Sequence, residues 1–383
     1  MKVKTFFIVA LILLSVSCAH NKDKSCVLKG EVHNRESQAL LLVKSHEDER
    51  YMAQRIPINE NNTFEFLLTD APDIRYSLIF EDELESGSYM PIFFFPDNKK
   101  IRFNLYPSDQ YMRNAVIGSA KAKELLDFEK DVRVLFESKF NAIYPQLDSL
   151  FQLNEGESDL AKHLMSELDS IVKAHISWRL NEIETKPSIA KYAMLIDFIR
   201  ASQQITYIDM DYLTSIIQSY QERYPNHFYT ELSANMLTAM MSITVGSRFV
   251  NFSTVDSEGN EINFADCIED NKISILDLWA PWCGPCRMRS RELITIYEKH
   301  KDDKFDIIGV VGGIKDIDEY NVAIEQEKFP WKNYVEIKNQ NKIWEKYNIS
   351  NSGGGIFVIN DKGVILAIDP SIEDLENILI GNL

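Results

Sequence analysis

Positive charge is scarce in this chain. Its 41 Lys and Arg face 58 Asp and Glu, a formal net charge of −17 across 383 residues. That shortage excludes nucleic acid as a partner class, because phosphate binding needs concentrated Lys and Arg. It does not identify a positive partner; a solvated acidic surface accounts for it. Long apolar runs are also missing. The run at residues 6–14 is too short to span a bilayer as a permanent helix. Only 5 cysteines are present. The single C-x-x-C, Cys283 and Cys286, has no second pair and no nearby His to complete a zinc site, which needs four ligands. His163 and His175 have no partner at metal spacing. The sequence therefore calls for no metal and no cofactor.

What is present is enough apolar surface for real cores, 45% of residues, in a chain long enough for two or three domains. The N-terminus reads as a targeting segment. Lys2 and Lys4 precede the apolar run, and Ser15, Val16 and Ser17 lead into Cys18. Small residues followed directly by Cys resemble a bacterial lipobox, although Ser15 stands where Leu is usual. The resemblance implies that Cys18 carries lipid and begins the mature chain. Plain secretion ranks second and a retained helix third. Export means an oxidising compartment. Cys26 and Cys267 are then either unpaired or bridged to each other. We expect them unpaired, since nothing in the sequence brings them together.

Strand-like runs recur at 39–43, 63–68, 76–80, 90–95 and 101–105, divided by turn signals such as Asn59-Glu60-Asn61-Asn62. Phe64 and Phe66 alternate with Glu65 at period 2. These runs predict a small all-β sandwich-like domain, with Phe93, Phe94 and Phe95 in its core. From about Ser119 the period becomes helical. Leu125, Phe128, Val132, Leu135, Ile143, Leu147 and Leu150 form the stripe of a first helix, with Phe136 and Phe140 bridging its one longer gap. Further helices are expected at 158–184, 189–202, 210–223 and 227–243, as a helical middle segment serving as spacer or docking module. From about Val245 the pattern is α/β: a buried strand at 273–278, a helix at 287–300, a strand at 307–311, a helix at 316–328, a hairpin at 356–368 and a closing helix. The expected organisation is a signal peptide over 1–17, a β-rich domain over 18–118, a helical segment over 119–244 and an α/β domain over 245–383.

The chemistry concentrates where the buried strand runs into Trp279-Ala280-Pro281-Trp282-Cys283-Gly284-Pro285-Cys286. A strand leading directly into a helix places Cys283 at the helix N-terminus, where unpaired N–H groups and the helix dipole stabilise a thiolate. Pro285 suits the first turn, where its missing N–H costs nothing. Cys283 is expected to attack a disulfide, and Cys286, the more buried of the two, to resolve the mixed disulfide.

The segment from Asp277 to Cys286 resembles the active-site segment of thioredoxin. Residues 245–383 as a whole resemble the envelope thioredoxin-like proteins of the TlpA/ResA group. Phe329-Pro330-Trp331, Tyr347-Asn348-Ile349 and the hairpin residues 357–363 add to the likeness. The β-rich region resembles the domain that often precedes such thioredoxin domains in bacterial lipoproteins. The resemblance implies a C-terminal thioredoxin fold, with Cys283 as nucleophile and Cys286 as resolving thiol in a redox disulfide. It makes Trp279 and Trp282 aromatic flanks, with Gly284 and Pro285 beside them. Asp277 matches the buried acid of thioredoxin, which accepts the proton of the resolving thiol.

One stretch departs from the family. Where a cis-proline loop should face the cysteines, the chain has Ser352-Gly353-Gly354-Gly355, a loop expected to be trans or mobile. The leading expectation is a lipid-anchored, periplasm-facing disulfide reductase. It would act on envelope protein disulfides or thiols and draw electrons from a membrane donor. The competing expectation is a binding lipoprotein with a drifted thioredoxin domain. A thiol peroxidase is disfavoured, because nothing resembles a peroxidatic Cys preceded by Thr.

Overall fold

The computed structural model describes residues 25–69, 71–201, 208–349 and 353–383. The targeting segment and Cys18 lie outside the described residues. No described helix is long and apolar enough to cross a membrane.

The first module is a pair of four-stranded sheets. Its strands are β1 (Cys26–Val32), β2 (Ala39–Lys44), β3 (Gln54–Pro57), β4 (Thr63–Leu68), β5 (Tyr76–Phe80), β6 (Ile92–Phe94), β7 (Lys100–Leu105) and β8 (Ala115–Ile117). One sheet runs β4-β1-β7-β8 and the other β3-β2-β5-β6. Alternation does the sorting: in β7, Ile101, Phe103 and Leu105 are buried while Lys100 and Arg102 are exposed. Phe94 and Phe95 are fully buried as expected, and Phe93 lies under the Arg75 guanidinium. Two short helices interrupt the strands, α1 (Glu49–Met52) and α2 (Glu81–Ser86).

Five helices follow: α3 (Ala120–Gln152), α4 (Asp159–Thr185), α5 (Ile189–Ala201), α6 (Met210–Arg223) and α7 (Phe228–Ser242). Ser119 and Ser158 cap α3 and α4 by accepting from the third residue onward, Ala122 and Ala161. The expected stripe of α3 holds except at Leu135, which is exposed; Phe136 takes the inward place. Across the gap to Ile143, the 3.6-residue period favours 136 over 135, and the larger ring fills the position. His163 is exposed, and His175 sits at the edges of the Phe136 and Phe140 rings. The helices do more than space the chain: Phe128, Leu195 and Tyr229 share one apolar core with Phe94 and Phe103 of the sheets.

An ion pair with a buried arginine fastens these layers. Arg75, just before β5, donates both terminal nitrogens to the Asp197 carboxylate of α5 at 2.7 Å. Its backbone N–H donates to the Tyr229 hydroxyl of α7 at 2.7 Å.

The third part alternates strand and helix: β9 (Ser253–Val255), β10 (Glu261–Asn263), α8 (Phe264–Ile268), β11 (Ile273–Trp279), α9 (Gly284–His300), β12 (Phe305–Ile314), α10 (Ile317–Glu327), β13 (Lys332–Ile337), α11 (Ile343–Lys346), β14 (Gly355–Asn360), β15 (Ile365–Ile368) and α12 (Ile372–Asn382). They form one mixed sheet, β10-β9-β13-β12-β11-β14-β15. Strands β11, β12 and β13 are parallel, and β14 returns antiparallel against β11. Leu293, Ala323 and Leu375 cover one face; Phe264, Trp344 and Tyr347 cover the other. Cys26 and Cys267 carry free thiols.

Removing Asp197 should leave the Arg75 guanidinium buried and unpaired. Since Asp197 is itself about half exposed, Asp197→Ala is expected to cost roughly 1–3 kcal/mol in urea unfolding. The paired replacement Arg75→Met with Asp197→Leu should cost less. An equal or larger loss for the pair would show that the ion pair is not the fastening.

Candidate active site

All seven residues of β11 are buried. A strand covered on both faces has its position fixed by packing, so the residue that follows it is fixed as well. The chain turns at Pro281 and Trp282, with the Cys283 N–H donating to the Ala280 carbonyl at 3.0 Å. Helix α9 starts at Gly284 with Cys283 as its N-cap, and Pro285 sits in the first turn. The helix therefore starts three residues earlier than the sequence suggests, because Gly284 and Pro285 both fit an N-terminal turn. The Cys286 N–H donates to the Cys283 sulfur at 3.2 Å, and the two sulfurs are joined as a disulfide.

Cys283 is the more enclosed residue, only 6% exposed, whereas Cys286 keeps an intermediate exposure. This reverses the expected order. As N-cap, Cys283 lies at the bottom of the strand–helix junction; Cys286 is one turn up the helix.

Opposite the disulfide stands the glycine loop. A Cβ added to Gly353 would sit 3.0 Å from the Cys286 sulfur and 3.1 Å from the Cys283 sulfur. At Gly354 it would fall 1.7 Å from the Leu278 carbonyl oxygen. Only a backbone without side chains can come this close. No peptide bond among the described residues is cis, in keeping with a loop that lacks proline. The Gly353 carbonyl accepts from the Trp344 indole at 2.6 Å, and Gly355 opens β14 opposite Leu278.

The two expected aromatic flanks part company. Trp282 is exposed, and its indole donates to the Gly313 carbonyl at 3.1 Å. Trp279 is fully buried, with its indole donating to Asn333 at 2.9 Å. It ends a strand whose faces are both covered, so it has no surface to offer a substrate. Trp344 is absent from the expectations drawn from the sequence. Its ring lies where a side chain on Gly312 would be, and Trp282 lies likewise against Gly313. The Gly312-Gly313 pair at the end of a buried strand is the sequence signal for these two seats.

Asp277 lies within β11 and is 2% exposed. Burial pushes its carboxyl up to about 7; the Ser290 hydroxyl and the Arg289 charge oppose the rise, and Asp369 adds to it. Ser290 also donates to the Cys286 carbonyl at 3.1 Å, so one residue of α9 reaches both. Among the described residues, Oδ2 of Asp277 has no hydrogen-bond partner.

Two further contacts lock α9. The Glu327 side chain, 1% exposed, accepts from Arg287 and from Arg291, the latter at 2.7 and 2.8 Å. Burial opposes its ionisation, but the hydrogen bonds from Arg291 and Arg287 outweigh this and hold the carboxyl below its ordinary range. Arg287 also donates to the Pro281 carbonyl at 3.2 Å, bracing the turn before Cys283. On the other side, Asp369 accepts from Arg289 at 2.9 Å and from the Ile356 N–H at 3.0 Å. That contact ties the helix to the strand that follows the glycine loop.

Known proteins resemble the C-terminal part of the chain in sequence. Residues 245–368 match the AhpC/TSA family. The thiol–disulfide oxidoreductase ResA of Bacillus cereus is 27% identical over 139 residues, 35% of this chain and 76% of that protein. A thioredoxin of Alicyclobacillus acidocaldarius is 43% identical over 42 residues, covering 11% of this chain and 40% of its own. Among solved structures, the thioredoxin domain of a thiol–disulfide oxidoreductase from Bacteroides vulgatus is 26% identical. It covers 37% of this chain and 98% of its own, with a TM-score of 0.33. The C-terminal third of this chain is therefore a thioredoxin-like thiol–disulfide oxidoreductase domain of the AhpC/TSA family, homologous to the ResA enzymes and carrying the Cys283–Cys286 pair.

Proposed function

We propose that the chain is a disulfide reductase of the bacterial envelope, held to a membrane by lipid on Cys18, periplasm-facing, and acting on protein disulfides. The observation that carries this reading is the Cys283–Cys286 disulfide at the start of α9, with the Gly353 backbone packed against both sulfurs. The loop that departs from the family in sequence still meets the sulfurs. This speaks against a drifted, purely binding domain.

In the proposed cycle the reduced pair starts with Cys283 as thiolate, favoured by the helix N-terminus and the Cys286 N–H. Its sulfur attacks one sulfur of the substrate cystine. The substrate S–S bond breaks, a mixed disulfide forms, and the departing thiolate takes a proton from solvent. Cys286 gives its proton to Asp277, and its thiolate attacks the Cys283 sulfur. The second substrate thiolate leaves. Two electrons have passed from the cysteine pair to the substrate, and the pair is left as the disulfide. A membrane dithiol donor returns them. Trp282, Gly284 and Pro285 form the exposed rim that meets the substrate, and the backbone of the loop at Gly353, Gly354 and Gly355 borders it.

With a dithiol donor, the full chain should reduce insulin, and Cys283→Ser should lower the rate about 100-fold or more; equal rates would end the proposal. Cys286→Ala should accumulate mixed disulfides with envelope proteins, and mass spectrometry should find the mature chain starting at a lipidated Cys18. A start downstream of Cys18 without lipid would remove the anchor.

Asp277 gives a second test. Its folded pKa lies above the unfolded value of about 3.9. The folded state therefore holds the proton more tightly, and the stabilisation is complete below about pH 4. It is lost as pH rises through about 7. Asp277→Asn should remove this slope and stabilise the protein at pH 8 by roughly 1–4 kcal/mol in denaturant titrations. The same variant should slow the release of the mixed disulfide. Unchanged pH dependence and unchanged release would rule out the proton-acceptor role.

A further inference from the structure

Helix α1 belongs to the N-terminal module, yet one of its residues reaches the redox motif. The Arg50 guanidinium carbon lies 3.4 Å from the centroid of the Trp282 ring, a cation–π stack. Asp48 sets the arginine in place: its carboxylate caps α1 by accepting from the Arg50 N–H at 2.9 Å and takes the guanidinium at 3.0 and 3.1 Å. The Asp48 side chain is only 6% exposed.

Beside this contact is a cleft of about 670 Å³ between α1, α7 and the α11 region. Two of its walls adjoin elements that border the redox site. Tyr51 and Met52, which line it, directly follow Arg50. Ile349, which also lines it, reaches to 3.3 Å from the place of a Gly355 Cβ, at the root of the glycine loop. Met52, Phe228 and Met236 give it apolar surface, of the adaptable kind that methionine supplies.

Its lining is balanced in charge, unlike the acidic chain as a whole. Arg200, Lys338, Lys342 and Lys346 line it, along with Glu47, Asp48, Glu231 and Glu345. Glu47 is paired with Lys44, and Asp48 with Arg50. Four cations then face two remaining carboxylates, on a protein whose net charge is −17.

We infer that this cleft is the docking groove for the polypeptide flanking the substrate's cystine, selective for an extended segment bearing carboxylates and apolar side chains. Arg50 is the positioning residue that holds Trp282 where groove and disulfide meet. The inference rests on the reductase reading for its occupant: a redox site of this kind must receive a cystine-bearing chain, and the cleft lies on the far side of the Arg50–Trp282 stack from the disulfide turn.

The test separates the two readings by beginning without cysteine. A short synthetic peptide alternating Glu and Leu, with no Cys, is titrated calorimetrically into the full oxidised chain. The wild type should bind it, and the K338E/K342E/K346E variant should bind about tenfold more weakly or worse. A Lys–Leu peptide should show the reverse order. No binding by the wild type, or equal binding by wild type and variant, overturns the groove whatever the redox activity. Binding by a chain that fails to reduce insulin would count against the reductase reading and leave the groove standing. The same Glu–Leu peptide extended by a cystine then tests Arg50: Arg50→Ala should raise KM severalfold with kcat little changed, and Arg50→Lys should restore part of the loss. Faster reduction by Arg50→Ala would make the arginine an obstruction and overturn its positioning role.

Discussion

The active site depends on one junction. A strand buried at every residue has no freedom to slide, and β11 delivers Cys283 to the start of α9. The geometry of the cysteine pair follows: the Cys286 N–H points at the Cys283 sulfur because the first turn of a helix presents its unpaired donors there. The helix in turn cannot shift along the strand. Glu327 holds it through Arg287 and Arg291 on one side, and Asp369 holds it through Arg289 on the other. Asp277 owes its raised pKa to the same strand. It sits within β11, where burial disfavours its charge more than the nearby hydroxyl and guanidinium can offset. One packing constraint thus sets the nucleophile, the helix dipole that activates it and the neighbouring acid.

The glycine loop meets the sulfurs by another route than a fixed proline ring. Close approach requires that Gly353 and Gly354 lack side chains, since a Cβ at either would meet sulfur or the Leu278 carbonyl. Flexibility is the usual cost of consecutive glycines. Here it is limited from outside: the Trp344 indole holds the Gly353 carbonyl, and Gly355 is already paired in the sheet. Trp344 has room only because residue 312 is glycine. Glycines on one side of the site and tryptophans on the other are therefore one device. Replacing the ring-locked turn with an indole hydrogen bond keeps the loop against the disulfide.

How much of this was legible in the sequence depended on whether a feature is local. Five of the eight sandwich strands (β2, β4, β5, β6 and β7), the helices from Ser119 to Ser242 and the strand leading into Cys283 follow from hydrophobic period and turn residues, whereas β1, β3 and β8 are seen only in the structure. Strand β13 did not show, because Lys332, Asn333 and Glu336 make it look polar. Glu336 is nonetheless fully buried, its carboxylate accepting from the Asn341 N–H and side chain. A charged residue inside a strand is intelligible only once its partners are in space. The same holds for Trp279, grouped with Trp282 by sequence proximity although the fold buries one and exposes the other. The order of burial of the two cysteines also depends on what packs above them, which spacing alone does not give. The Arg50–Trp282 stack links residues more than half the chain apart and has no local signature at all.

That stack joins the N-terminal layers to the redox motif. Arg200 of α5 is partly buried, and desolvation followed by its arginine neighbour pushes its pKa down while Asp197 opposes the change. A guanidinium in such a place must find acceptors, and it donates to the Ser45 and His46 carbonyls at 3.0 and 3.2 Å. Those carbonyls lie just past the end of β2, shortly before Asp48 caps α1 and fixes Arg50. Arg75 and Asp197 fasten the same helix at the start of β5, the strand paired with β2. The path runs through packed, hydrogen-bonded elements: α5 fixes the turn after β2, the turn fixes α1, and α1 fixes the ring beside Cys283. Within the thioredoxin-like domain, among the described residues, Trp282 is tied only at its inner edge, by Gly313. Joined to this module, the ring is held by a cation whose own position is set, through α5, by Arg75, Arg200 and the sheet they grip. The frame that sets Arg50 thus extends from the sheets through α5 to the ring beside the disulfide.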